Sequence, residues 1–338
     1  MYIYLQKHPR FCYLEIAKSD GITTLRQKVP TPHMPQTLCT SAFPAIHVRC
    51  CNIFEIFLHF LSKKLAKFRK YIYFCKREDM FENEIREYES IRQEYQQTVA
   101  DKMGEKQWME YNEILFSAHS CAIEGNSFTV DDTRILREQG MAMIPVGRSL
   151  LECTEMADHF RAFDYMVSHL DHPFDETLLK EVNRLVTEHT LSYRTPGAVA
   201  GEYTTEDMAA GDTVFGDHET LIARVPQLMS STQRAIDDGQ HPMIVAAKWH
   251  GYYEYLHPFR DGNGRTGRLL SNFILLRAGH PLLIVKLEDR SEYISALKQI
   301  RTEGSDEFLI AFFFKTAITR MKSELAQKRK NTLPTMFF

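Results

Sequence analysis

From Phe81 onward, apolar residues recur at the three- and four-residue spacing of one buried helix face. Glu82 to Met103 is charged and made of good helix formers, with few apolar positions. Lys106 to Ile123 sets Leu115, Ala118 and Ala122 on one face. Thr129-Val-Asp-Asp132 opens the next helix with a capping-box pattern, and Gly140 closes it. Ser149-Leu-Leu-Glu152 repeats that start signal. Leu178, Leu179, Val182, Leu185 and Val186 then make a buried stripe. Further helices are expected over Met243 to Leu256, Gly264 to Arg277, Ser291 to Arg301 and Glu307 to Lys328.

One stretch breaks the pattern. Thr195 to His218 holds Pro196, Gly197, Gly201, Gly211 and Gly216 with short runs between, which is loop or hairpin composition. The pattern therefore predicts an all-α domain interrupted by one hairpin, without internal repeats.

Residues 1–79 show no sustained period and carry the proline patch Pro30 to Pro35. They hold 13 Lys and Arg against 5 Asp and Glu, while the remainder holds 28 against 39. The preferred reading is an irregular basic tail, with Met80 as an alternative start of translation. The other is a basic amphipathic segment, Ile53 to Lys70, touching a membrane or partner. The expected organisation is a tail over 1–79, N-terminal helices over 80–145, a catalytic core over 146–328 and a tail over 329–338.

The net charge of −3 gives no pull toward nucleic acid. The best apolar run, Ile53 to Leu61, is too short for a span and contains Glu55 and His59, so no membrane partner is expected from it. After residue 80 only Cys121 and Cys153 remain of 7 cysteines, and none has CxxC spacing. This points to a reducing, cytoplasmic setting without a disulfide framework or zinc site.

The chemistry is concentrated in His257-Pro-Phe-Arg-Asp-Gly-Asn-Gly-Arg-Thr-Gly-Arg268. Pro258 disfavours helix at His257, so one helix ends there and another begins near Gly264. Glycines at a helix start leave free N–H groups at the positive dipole end, an anion site. Arg265 and Arg268, three apart, add guanidinium forks suited to more than one phosphate. Asp261 is placed to hold Mg2+, and His257 to take a proton near neutral pH. Gly262 to Gly267 also matches a dinucleotide fingerprint, but that fingerprint needs a preceding strand, and Val245, Trp249, Tyr252, Tyr253 and Leu256 are spaced as a helix. His172-Pro-Phe-Asp175 shares only the opening of the run and reads as a turn before a helix at Glu176.

This run closely resembles the signature HxFx(D/E)GNGRxxR of the Fic family, and the likeness extends over about Ile114 to Leu325. The resemblance implies a helical Fic fold with a β-hairpin flap and transfer of AMP from ATP to a Ser, Thr or Tyr hydroxyl of a target protein. His257 would be the base, and Asp261 the Mg2+ ligand. Gly262, Asn263 and Gly264 would cradle phosphate, with Arg265 and Arg268 gripping the outer phosphates and Phe259 anchoring the loop. Ser120 and Glu124, in Ser120-Cys-Ala-Ile-Glu124-Gly125-Asn126, resemble the family's inhibitory motif, in which the glutamate takes Arg268 from ATP. A surface acid at a helix end is the alternative for Glu124.

The flap is expected around Gly201 to Gly211, where Met208, Ala209, Ala210 and Gly211 depart from the family's β-branched pattern. Tyr293 falls where an adenine neighbour stands in relatives, with a core tyrosine as the alternative. ATP and a hydroxyl-bearing protein are the expected partners, and homodimerisation is left open. Alternatives are removal of AMP, transfer of another phosphate-containing group at the same site, and a non-catalytic nucleotide sensor.

Overall fold

The computed structural model describes residues 2–8, 11–17, 27–29, 80–210 and 213–330. The chain divides into two units, 1–73 and 74–338. In the first, β1 (Tyr2–His8), β2 (Phe11–Ala17) and β3 (Gln27–Val29) form an antiparallel sheet in chain order. Its register runs from Tyr2↔Ala17 to His8↔Phe11, and Cys12 faces Val29. For these residues the irregular tail is corrected. Tyr, Ile, Leu and Phe suit a pleated surface, and a search for a sustained helical period does not register them. The proline patch, the segment Ile53 to Lys70 and residues 331–338 lie outside the described residues.

The second unit is helical. Its elements begin with α1 (Glu82–Tyr95), extended by a π turn over Gln96–Ala100, and continue with α2 (Glu105–Ile123), α3 (Val130–Gln139), α4 (Leu150–Ser168), α5 (Glu176–Thr187) and the short α6 (Leu191–Arg194). A two-stranded hairpin, β4 (Ala209–Ala210) and β5 (Thr213–Val214), precedes α7 (His218–Asp237), α8 (Pro242–Leu256), α9 (Asn263–Arg277), α10 (Arg290–Glu303) and α11 (Glu307–Arg329).

Both anticipated capping boxes form. Thr129 and Asp132 bond reciprocally at the start of α3, as do Ser149 and Glu152 at α4; each such cap contributes about 1 kcal/mol. The pattern did not separate α7 from the hairpin. Its buried stripe, Leu221, Val225, Met229 and Thr232, is there, but Pro226 sits inside the helix and masks it.

The core centres on α8 and α9. Trp249, Tyr253, Leu269, Leu270, Phe273 and Leu275 are buried, with α8 against α7, α10 and α11, and α9 against α2, α4 and α5. Each such side chain contributes about 1.5–3 kcal/mol on burial, so the loop joining α8 to α9 is pinned at both ends. Helix α2 is fixed from its other flank. Buried Arg320 of α11 donates to Asn112 Oδ1 at 2.6 Å and to the Leu282 carbonyl at 3.0 Å. Tyr95 of α1 donates to Glu324 Oε2 at 2.7 Å beside it.

Candidate active site

Helix α8 ends as expected at His257, which adopts φ 49 and ψ 60 and donates its N–H to the Tyr253 carbonyl at 2.8 Å. It is the one non-glycine residue with positive φ among the described residues; that left-handed region disfavours residues with a Cβ by roughly 1–2 kcal/mol, so the surrounding contacts must enforce it. Asn263 does much of this. Its Oδ1 accepts from Phe259 N at 3.0 Å and its Nδ2 donates to Phe259 O at 2.7 Å. The Asn263 side chain is therefore committed to folding the loop, which leaves its backbone for any contact with phosphate. Phe259 is buried at the tip, the anchor anticipated for it.

Gly262 takes φ +77, and a Cβ there would come within 2.5 Å of Thr187 Cγ2. No side chain caps α9 at this end, which leaves first-turn N–H groups available to an anion. From α5, Asn183 Nδ2 donates to Asp261 O at 3.0 Å and Thr266 Oγ1 at 3.2 Å, while its Oδ1 accepts from Gly201 N at 3.2 Å. Asn183 thus sews the loop, α9 and the approach to the hairpin together. The sequence pattern offered no sign of this beyond a polar residue inside the α5 apolar stripe.

The two motif arginines meet different acids. Arg268 donates through Nε to Ser120 Oγ at 3.1 Å, and through one terminal nitrogen to Ser120 O and Glu124 Oε1, both at 2.7 Å. Glu124 is also the C-cap residue of α2, the helix-end position considered as its alternative. Burial alone lowers the pKa of Arg268; the charge of Glu124, then contact with Tyr293, more than reverses this and raises it. Glu124 Oε1 lies 2.1 Å from where a Cβ on Gly264 would stand. The carboxylate therefore rests on the first turn of α9, over a backbone that only glycine leaves open.

Arg265 turns instead into the interior and is 1% exposed. It pairs with Glu155 of α4 at 2.6 Å and reaches Asp261 Oδ1 at 3.3 Å. Glu155, itself fully buried, also receives Arg194 at 2.9 Å and Asn126 Nδ2 at 2.9 Å. The expectation that Arg265 grips phosphate beside Arg268 is corrected: the guanidinium is sealed against Glu155. Asp261 Oδ2 is buried without a hydrogen bond, with Arg194 Nε 3.8 Å away. An orphaned carboxylate oxygen fits a cation ligand, so the residues present suit Mg2+.

The His257 ring stacks on Phe215 with centroids 3.8 Å apart. Arg301 lies over the other ring, 4.4 Å from the Phe215 centroid, and donates to the Val214 carbonyl at 3.2 Å. Glu254 Oε2 stands 3.5 Å from His257 Nδ1. The hairpin is tied down by Phe215 N donating to Met208 O at 2.9 Å. Upstream, Thr204 N donates to Pro258 O at 2.8 Å, and Tyr203 bridges Phe259. The flap expected from Met208 to Gly211 thus has Ala209 and Ala210 in a strand, and Gly211 lies outside the described residues.

Tyr293 is 1% exposed, and its hydroxyl meets His250 Nε2 at 2.5 Å. Tyr293 thus has the burial of the core tyrosine considered as its alternative. Asp175 caps α5 and Phe174 is buried, so the His172 run is the turn anticipated. A cavity of about 350 Å³ lies away from the motif, lined by Tyr111, Leu115 and His119 of α2 and by Lys286, Lys315 and Arg320.

The model of the Fic/DOC family matches residues 173–275. Over 192 residues the chain is 34% identical to the protein adenylyltransferase Fic of Nematostella vectensis, an overlap of 54% of this chain and 42% of that one. The protein of the same name from Drosophila melanogaster is 33% identical over 199 residues, 57% of this chain and 38% of its own. The chain thus spans about two fifths of the length of these curated relatives. Among solved structures, a Fic domain containing signaling protein from Bacteroides thetaiotaomicron aligns with a TM-score of 0.63 at 24% identity, over 73% of this chain and 97% of that one. Fic-1 (aa134–508) from C. elegans aligns with a TM-score of 0.63 at 25% identity, over 75% and 74% of the two chains.

Proposed function

We propose that this chain, a member of the Fic/DOC family, transfers AMP from ATP to a side-chain hydroxyl of a target protein and is restrained by its own Glu124. The observation that carries the reading is the placement of the Glu124 carboxylate. It is bonded to Arg268 at 2.7 Å and lies against Gly264 at the α9 N-terminus. A negative group thereby occupies the place where a phosphate would find both free N–H groups and a guanidinium.

With Glu124 withdrawn, Arg268 and the first turn of α9 receive the outer phosphates. Asp261, steadied by Arg265, would hold Mg2+ through its orphaned oxygen. That ion would neutralise charge on the phosphate oxygens. His257 takes the proton of the target hydroxyl as its oxygen attacks the α-phosphorus. The bond from that phosphorus to the bridging oxygen breaks, and pyrophosphate leaves. The protein's part is positioning and charge stabilisation.

The restraint has a plausible size. Holding a closed state at about 99:1 needs roughly 2.7 kcal/mol, and one charged hydrogen bond contributes about 1.5–3 kcal/mol. A glutamate with 35% of its side chain exposed can supply that and still be displaced.

Parallel labelling of Glu124→Gly protein with α- and with γ-labelled ATP tests the reading. Label from the α position alone is the expected result. Label from the γ position alone would mean phosphate transfer, release of AMP from a pre-modified target would favour the reverse reaction, and a folded variant that takes neither label contradicts group transfer altogether.

A further inference from the structure

Resting on that reading, we infer that Glu254 is a positioning residue for His257: it accepts a hydrogen bond from Nδ1–H and so leaves Nε2 as the proton acceptor. Three residues separate the two along the last turn of α8, which places them on one face. Oε2 of Glu254 is 3.5 Å from Nδ1 of His257. The two side chains are 12% and 20% exposed. His257 Nδ1 and the other Glu254 oxygen, Oε1, are both buried without a hydrogen-bond partner.

A buried nitrogen left unpaired costs about 1–3 kcal/mol. Closing the 3.5 Å gap from Nδ1 to Oε2 would remove that cost. Such bonds are commonly long in an empty site and tighten in the complex.

The surroundings leave the ring little alternative. Phe215 lies nearly parallel to it, with 15° between the planes, and Arg301 backs Phe215 while also donating to the Glu254 backbone carbonyl. The left-handed backbone at His257 fixes where the ring starts. The ring is thus held in plane, and Glu254 is the acid within reach of Nδ1.

The charged or titratable side chains besides Glu254 that bear on this pair include Arg301 and Tyr293 from α10, His250 and Tyr253 from α8 and Arg268 from α9. Burial pushes the Glu254 carboxyl up, but the nearness of His257, then the other nearby charges, carry it below the ordinary carboxylate range. Glu254 is thereby kept as an anion facing the imidazole.

During transfer the hydroxyl proton passes to Nε2, and the imidazolium that forms is stabilised by the Glu254 charge. Glu254 itself takes no proton. A fixed acceptor on one ring nitrogen sets the tautomer of the other, and without it the ring spends time with Nε2 already protonated.

The test has two arms. In Glu124→Gly protein, Glu254→Gln should lower the labelling rate at saturating ATP by roughly 10- to 100-fold, leave ATP affinity unchanged, and move the acid limb of the pH–rate profile to lower pH. Glu254→Asp, which keeps the charge at shorter reach, should recover the limb but only part of the rate. Nitrogen-15 histidine spectra of the wild-type chain form the second arm and need no activity: they should show His257 with its proton on Nδ1. A proton on Nε2 in the wild-type chain, or an unmoved acid limb in Glu254→Gln, would overturn the assignment. Should the Glu124→Gly protein fail to label, AMP transfer falls and the spectra alone decide the role of Glu254.

Discussion

Arg265 and Arg268 stand one helical turn apart on α9, yet their ion pairs differ in kind. Both members of the Arg265–Glu155 pair are sealed, at 1% and 0% side-chain exposure, whereas Arg268 at 5% faces Glu124 at 35%. Glu155 of α4 belongs to a network with Arg194 of α6 and Asn126 of the loop after α2. Glu124 caps the end of α2, where the chain turns through Gly125 at φ 101. A fully buried pair cannot be exchanged for phosphate without exposing a charge to low dielectric. A pair with one wet member can, since water and ligand compete for it on similar terms. One arginine is thus sealed into the structure, and the other keeps a partner that a ligand can exchange.

The largest effect that could break this contrast is on stability. Glu155→Ala strands Arg265 and should cost about 3–5 kcal/mol, which lowers the melting temperature by roughly 6–20 °C for a unit of this size. A change within a few degrees would place Arg265 among the releasable groups.

Next in size is the acid response of the layer beneath Arg268. Burial holds His250 neutral, with its pKa pushed down to about 4. The unfolded chain binds the extra proton between about pH 6.5 and 4, so stability should fall as pH is lowered through that window, by up to about 3 kcal/mol from this group. Melting curves of wild type and His250→Gln across the window check it, the variant showing the shallower slope. Buried His159 and His280 are shifted in the same direction by desolvation and should leave a residual slope in that variant.

Smaller again is the loss from Arg268→Ala in the Glu124→Gly background. One charged hydrogen bond to phosphate is worth about 1.5–3 kcal/mol, so ATP affinity should fall roughly 10- to 150-fold. An effect of similar size sharpens the contrast most: Glu124→Gly should lower unfolding free energy by about 1.5–3 kcal/mol, less than Glu155→Ala does, measured by denaturant titration.

What the sequence made legible was local. Capping boxes, apolar stripes and the glycine-lined helix start each lie within a few residues, so the helices around the motif and the turn at Asp175 could be anticipated, whereas the pairing of Glu124 with Arg268 came only from the resemblance to the family's inhibitory motif. What stayed hidden depends on distant partners. Nothing near Arg265 announces Glu155, and Asn183 looks like any polar residue inside a stripe. The motif written as a string does not show that the side chain of Asn263 bonds back to Phe259. Phe215 follows a hairpin whose fold onto His257 rests on Arg301, far along the chain. Glu254 did offer a signal, an acid three residues before the base on one helix, but its meaning depends on the left-handed turn at His257.

Isothermal titration of ATP with Mg2+ into wild-type and Glu124→Gly protein tests the central claim most directly. Removing the carboxylate from Arg268 and Gly264 should tighten binding by roughly one to two orders of magnitude. Equal affinity in the two proteins would mean that Glu124 does not stand in the phosphate's place, and the account of restraint would fail.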